Sequence, residues 1–224
     1  KFFAVQEQVQ RSVFWWNKVA TYAQRKPSPL NGFDLFNYMA LIVCARARDY
    51  AEITFHKFAD ELEAKDAAGQ YAFGAPENEK HRVTWEGIAV WTYLGATFKG
   101  LKNQGAVMTG SAYPGLWSLV YTPGDLESMA EAYTNVYINT CGPNRYEEFY
   151  KVVKNSKSDG IVLHLNRSCK LMGLLNNEGA EYVNAKLGVP YVSFDGDQTD
   201  PRVFTPAQYE TRVQALTEMM DENQ

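Results

Sequence analysis

Gly160-Ile161-Val162-Leu163-His164-Leu165, running on into Asn166-Arg167-Ser168-Cys169-Lys170, decides how the chain is read. An apolar run of strand length gives way to small, polar and reactive residues, and a helix-length segment over 171–187 follows. That is the grammar of a strand feeding a loop and then a helix. The same grammar repeats on both sides. Short β-rich runs fall at 82–88, 106–109, 136–139 and 191–194, and helical segments at 91–103, 126–133, 145–156 and 206–220. Alternation of this kind predicts an α/β fold with a parallel sheet and helices on both faces. Residues 81–224 are therefore expected to form a five-stranded doubly wound, Rossmann/flavodoxin-like domain. Thr205, Pro206 and Gln208 predict a capped start for the last helix.

Residues 1–80 read differently, as long helices preceding that domain. Phe2, Val5, Val9, Val13, Trp16 and Ala20 recur at helical spacing. The helix should stop at Lys26-Pro27-Ser28-Pro29, because a residue before proline is pushed out of the helical region. Positions 33–65 predict one long helix or a broken pair, ending at Ala67-Ala68-Gly69, and 74–80 a polar linker.

Composition narrows the function classes. The chain has 224 residues, 46% hydrophobic and 21% charged, which excludes a disordered chain, a collagen and a coiled coil. Its longest clean apolar run, 39–45, is far short of the ~20 residues of a membrane span. A net charge of −4 argues against non-specific nucleic-acid binding. Three cysteines make no disulfide framework, so a reducing, cytoplasmic setting is expected. Aromatics reach 14%, which suits large buried faces or a partner interface. The chain starts at Lys1 inside a helical pattern, so it is expected to be a piece of something longer.

Ligands of open α/β sheets sit beyond the carboxyl ends of the strands. That rule selects Glu86 and Gly87; Gly110, Ser111, Tyr113 and Pro114; Cys141 to Asn144; Asn166, Arg167, Ser168, Cys169 and Lys170; and Asp195, Gly196, Asp197, Asp200 and Arg202. The glycine-rich dinucleotide and nucleotide loops and the nucleophile elbow are absent. Cys169 stands between Arg167 and Lys170 where a strand should meet a helix, a setting that favours thiolate. It reads as a nucleophile or a metal ligand, or else as an unreactive turn cysteine. Cys141, after the 136–139 run, is a second candidate metal ligand. Cys44 is expected to be buried inside a helix. His56 is expected on a helix surface, His81 at the linker, and His164 within a strand, as a core residue or a functional one. Asp195 and Asp197 are first of all turn residues. No cysteine pair has zinc or ferredoxin spacing.

Three blocks together carry a resemblance: Asp159-Gly160 through Asn166-Arg167-Ser168-Cys169-Lys170; Gly188-Val189-Pro190; and Asp195-Gly196-Asp197-Gln198-Thr199-Asp200-Pro201-Arg202. They resemble the carboxyl-terminal signature of the 2-hydroxyacyl-CoA dehydratase and benzoyl-CoA reductase superfamily. Trp85-Glu86-Gly87-Ile88 and Met108-Thr109-Gly110-Ser111-Ala112-Tyr113-Pro114 look more like the dehydratase α-type subunit. The likeness runs from about Trp15 to the end.

The resemblance implies a [4Fe–4S] cluster held by three cysteines, two of them from an amino-terminal domain missing from this chain and the third matching Cys169. It implies loss of water from a 2-hydroxyacyl-CoA through a ketyl radical anion, giving an enoyl-CoA. It also implies a heterodimer with a β-type subunit and an electron from a separate ATP-hydrolysing iron–sulfur activator. In that setting helix-start amides near Cys169 and Ser168 would stabilise the cluster, and Arg167 and Lys170 would meet CoA phosphates or balance cluster charge. Ser111 and Tyr113 would hydrogen-bond the substrate or a cluster-bound oxygen, and Glu86 and His164 are the candidate proton carriers. Competing expectations are a benzoyl-CoA reductase-type subunit and a cluster-free acyl-CoA-binding or scaffolding subunit, with Phe14, Trp15 and Trp16 at an interface. A flavodoxin-like FMN domain is weakened because 87–91 lacks a Ser/Thr-rich phosphate cradle.

Overall fold

A computed structural model describes residues 1–223. Strands β1 (His81–Glu86), β2 (Ala106–Ser111), β3 (Gly160–Asn166) and β4 (Tyr191–Gly196) form one sheet in the order β2-β1-β3-β4. All three pairings are parallel. The sheet has four strands, not five. The expected third run, 136–139, is a 3-10 turn at Tyr137–Asn139. The physical reason lies in the sheet: β3 pairs directly with β1, Val83 opposite Gly160, so no slot remains between them. Tyr137 turns its hydroxyl inward instead.

Strand β3 shows why its sequence reads as fully buried. Ile161 and Leu163 pack with Phe149, Val153, Ala180 and Val183, while Val162 joins the larger core on the other face. Side chains that alternate at period two meet helices on both sides.

The helices that flank the strands are α4 (Leu94–Asn103), α5 (Ala112–Gly115), α6 (Leu126–Thr134), α7 (Gly142–Asn155), α8 (Lys170–Gly173), α9 (Asn176–Leu187) and α10 (Pro206–Glu222), the numbering leaving α1–α3 for the amino-terminal helices. The single helix expected over 171–187 is thus broken into α8 and α9. Thr205 and Pro206 do begin α10, but the Thr205 side chain makes no capping bond. Pro206 stands where a missing N–H costs nothing.

The amino-terminal helices are α1 (Phe2–Thr21), α2 (Gly32–Cys44) and α3 (Asp49–Ala67). Helix α1 stops earlier than the prolines require, relaxing into a 3-10 turn at Tyr22–Gln24. Its buried stripe is Gln6, Val9, Ser12, Val13, Trp16 and Val19, and Phe2 and Val5 are exposed. Asn31 caps α2 by accepting from the Phe33 N–H. The 33–65 stretch is the broken pair, interrupted at 45–48. That break leaves Cys44 as the exposed last residue of α2, contrary to its expected burial. Trp16 is in the core, Trp15 stacks on His56 at 3.7 Å, and Phe14 is exposed.

These helices and the sheet share one hydrophobic core. Trp85 is its centre, touching Phe33 and Phe36 of α2, Phe194 of β4 and Tyr209 of α10. Arg82, fully buried, adds a polar tie. Its guanidinium donates to the carbonyls of Ala23, Arg25 and Ser156 and pairs with Glu79. His81, expected at a linker, is instead the buried first residue of β1, 3.2 Å from the Asp221 carboxylate of α10. No helix among the described residues is long and apolar enough to cross a membrane.

Candidate active site at the carboxyl edge of the sheet

From β1 the chain steps outward to β2, then crosses to the other side of β1 for β3 and on to β4. The strand order reverses between β1 and β3, the point at which ligands of open α/β sheets generally bind. Gly87 sits at that point with φ +103°. A Cβ there would lie 2.5 Å from the His164 carbonyl oxygen, so only glycine lets the two backbones approach so closely.

Glu86 is the last residue of β1 and is completely buried. Its Oε1 accepts from the Tyr137 hydroxyl at 2.8 Å and lies 3.8 Å from Nη2 of Arg145. Its Oε2 has no partner. Burial pushes the carboxyl up to about 7, against the opposing pull of Tyr137, Arg145 and the Gly87 amide. The Tyr137 hydroxyl is pushed well above the usual range, by burial first and then by Glu86.

Arg145, on α7 and buried, holds this group together. Its guanidinium donates to the carbonyls of Leu171 (2.6 Å) and Met172 (3.1 Å) and to Asn176 Oδ1 (3.3 Å). It also sits over the Tyr137 ring, 4.7 Å from the centroid. One fixed cation therefore joins the end of β1, the 3-10 turn before α7, and the backbone just beyond Cys169. Tyr137, Arg145 and Asn176 are residues that sequence reasoning missed. Nothing in the local pattern marks them, since Tyr137 fell in the run read as a strand and Arg145 in an ordinary helical segment.

Ser111 ends β2, and its hydroxyl is buried without a partner. It lines a cleft of about 330 Å³ whose walls include Leu116, Val136, Tyr137 and Val152. Tyr113, buried in α5, has its hydroxyl raised by burial and by the neighbouring Cys169. The structure thus brings Cys169 and Tyr113 to one place.

Cys169 itself is half-buried and precedes α8. Arg167 and Asp195 form a mostly exposed pair at 3.7 Å, a geometry worth little by itself. Lys170 is exposed at the start of α8. The Ser168 amide donates to Asp197 at 2.9 Å, and its hydroxyl donates to Asn166 Oδ1. Asp197 also accepts from the amides of Thr199 and Asp200, which hold its carboxyl well below the usual range. It staples the loop after β4 to the Cys169 loop. Asp200 is likewise engaged by Arg202, through the backbone and a two-point side-chain pair. Cys141 is exposed and precedes α7, its carbonyl accepting from the Arg145 amide. Among the described residues no three His, Cys, Asp or Glu side chains gather as a metal-binding group.

His164 lies deep in β3. Its Nδ1 is 2.5 Å from the Ile88 carbonyl, and its ring stacks on Phe194 at 5.1 Å. Burial lowers its pKa, so it is neutral near pH 7. With a carbonyl as partner, Nδ1 must carry the proton. The ring pins the loop after β1 to β3.

Glu86 gives a pH prediction. A carboxyl raised in the folded state stays protonated where the unfolded chain has already ionised. Its contribution to stability is therefore largest in acid and falls as pH rises through about 7. Urea unfolding from about pH 5 to about pH 8 should show that loss in the wild type and much less of it in Glu86→Gln. Parallel profiles for the two proteins would sink the idea.

The family model for 2-hydroxyglutaryl-CoA dehydratase, D-component, matches residues 1–220. The lactoyl-CoA dehydratase subunit alpha of Anaerotignum propionicum is 61% identical over 225 residues, covering 100% of this chain and 53% of that protein. The (R)-2-hydroxyisocaproyl-CoA dehydratase alpha subunit of Clostridioides difficile is 43% identical over 208 residues, covering 93% of this chain and 50% of that protein. A benzoyl-CoA reductase polypeptide of Thauera aromatica is more distant, 23% identical over 211 residues, covering 89% of this chain and 49% of that protein. The chain spans about half the length of the curated relatives it matches. A match that runs through β1, the Cys169 loop and the Asp197 staple alike leaves one conclusion: the chain belongs to the 2-hydroxyglutaryl-CoA dehydratase D-component family.

Proposed function

We propose that this chain is the carboxyl-terminal part of the α-type subunit of a 2-hydroxyacyl-CoA dehydratase, which removes water from a 2-hydroxyacyl-CoA to give an enoyl-CoA by way of a ketyl radical anion. The observation that supports it most is the set of relatives named as dehydratase α subunits, whose likeness spans nearly the whole of this chain. By the same reading the working enzyme includes a β-type subunit and an ATP-hydrolysing iron–sulfur activator.

The donor set fits one corner of a [4Fe–4S] cluster. Cys169 offers a half-buried thiol at the end of β3, and the remaining ligands come from outside this chain. When bound, such a cluster supplies one electron to the thioester and takes it back, which is what makes an otherwise inert β-hydrogen acidic. The chain's own residues do the rest. Tyr113 shields the Cys169 side from water and presents a hydroxyl that stays protonated at neutral pH. Ser111 offers the cleft an unpaired hydroxyl for the substrate's oxygens. Arg167 and Lys170 place positive charge at the rim for an anionic CoA. Glu86, poised near neutrality, holds or releases a proton.

The test is iron and acid-labile sulfide on the anaerobically purified holoenzyme, wild type and Cys169→Ala, together with dehydration of 2-hydroxyacyl-CoA and reduction of benzoyl-CoA. The expected result is about four irons per α subunit, lost with dehydratase activity in Cys169→Ala. Normal iron in that variant would remove Cys169 from the ligand set. An iron-free wild type would favour an acyl-CoA-binding scaffold, and turnover of benzoyl-CoA alone the reductase reading.

A further inference from the structure

Glu86 is completely buried, and it does not reach the wall of the cleft beside β2. Any proton it gains or loses must pass through a neighbour. The groups facing it are the Tyr137 hydroxyl, the Arg145 guanidinium and the Gly87 amide. A guanidinium does not deprotonate in proteins, and a peptide N–H does not exchange protons within a turnover. Only the hydroxyl remains. Tyr137 is also the one of the three residues that lines the cleft.

We propose that Tyr137 passes protons between the cleft beside β2 and the buried Glu86 carboxyl, making the two residues the acid–base couple of the site. The proposal rests on the dehydratase reading only for which proton is moved, the β-hydrogen of the bound thioester. As the C–H bond breaks, its electron pair stays on carbon. The proton forms an O–H bond to Tyr137, whose own proton crosses the 2.8 Å hydrogen bond to Glu86 Oε1. The carbon has lost one proton, Glu86 has gained one, and Tyr137 ends as it began.

The transfer is concerted, because burial and Glu86 both disfavour a free tyrosinate. Arg145 keeps the couple reversible. Its charge, held by the Leu171 and Met172 carbonyls, stabilises the ionised carboxylate and fixes the Tyr137 ring beneath it. His164 does not serve this cleft: it is completely buried, it is not among the residues that line the cleft, and its Nε2 faces Gly196 of β4.

The direct test needs no turnover. In the holoenzyme the protonated Glu86 carboxyl has an infrared stretch, identified by its loss in Glu86→Gln, and its exchange after transfer to D₂O can be timed. Tyr137→Phe removes only the hydroxyl and should slow that exchange at least ~10²-fold, the scale of a lost acid–base group. The same variant should lower kcat for 2-hydroxyacyl-CoA dehydration by ~10²-fold with KM little changed, and move the neutral limb of the pH profile upward. 3,5-Difluorotyrosine at 137 keeps the shape and the donor and should restore rapid exchange. Unchanged exchange in Tyr137→Phe overturns the relay, even in an enzyme that dehydrates its substrate. Slowed exchange in a protein without dehydratase activity supports the relay and defeats the dehydratase reading alone.

Discussion

Arg145→Met should cost about 3–5 kcal/mol of stability, the range for removing one partner of a buried ion pair. The side chain is fully buried, and methionine fills a similar volume, so the loss is not one of packing. It comes from what is left behind. The Leu171 and Met172 carbonyls and the Asn176 amide oxygen lose their donor, and Glu86 keeps a buried charge with its cation gone. Each orphaned polar group costs roughly 1–3 kcal/mol. Against a typical total stability of ~5–15 kcal/mol, the variant should stand near the edge of folding.

The pH dependence separates this mechanism from general damage. Without the guanidinium the Glu86 carboxyl rises further, so the deficit should be larger at about pH 8 than at about pH 6. In the Glu86→Gln background the same change should cost less, because no charge is stranded, and the difference is the coupling between the two residues. Urea unfolding of the four proteins measures it. A loss below ~1 kcal/mol, or strict additivity with Glu86→Gln, would mean that Arg145 is not what neutralises the site.

The second large effect is expected at Trp85. Trp85→Ala should remove about 3–5 kcal/mol, the usual range for emptying a buried aromatic site. The indole is fully buried and touches rings from α2, β3, β4 and α10. A cavity there borders several elements, and they cannot all collapse into it at once. Trp85→Phe should cost far less, below about 1.5 kcal/mol. The indole N–H has no hydrogen-bond partner to lose, so only shape changes. The ratio of the two losses is the informative quantity. Equal losses would place the importance of Trp85 in its indole rather than in its volume.

Much of this architecture was legible in the residue order. The runs 82–88, 106–109, 160–165 and 191–194 each fall on a strand, the first of which ends at Glu86, and the strands pair in parallel as the alternation required. Glycine, proline, asparagine and aspartate mark the loops because their backbone and side-chain chemistry is local. The run 136–139 failed for the complementary reason. Val136 and Ile138 have β-type side chains, but whether they enter a sheet depends on a free edge beside them, and β3 already occupies the side of β1 that they would need. Cys44 failed likewise, because the end of α2 depends on how α3 turns away.

For the candidate site the boundary runs between identity and environment. The sequence by itself placed Glu86, Ser111, Tyr113, Arg167, Ser168 and Cys169 at strand ends, since period and turn residues locate the end of a strand from its neighbours alone. It left Glu86 and His164 equal as proton carriers. Tertiary structure parted their surroundings, bonding Glu86 to the hydroxyl of a residue that lines a cleft and His164 to a backbone carbonyl. Tyr137 and Glu86 are 51 residues apart, and Arg145 and Asn176 are 31 apart. Burial and charge are sums over everything that folding brings within a few ångströms, and no window of sequence contains those neighbours. Which residues stand at the edge of the sheet was therefore written locally; what their protons and charges do there was decided only when the chain closed around them.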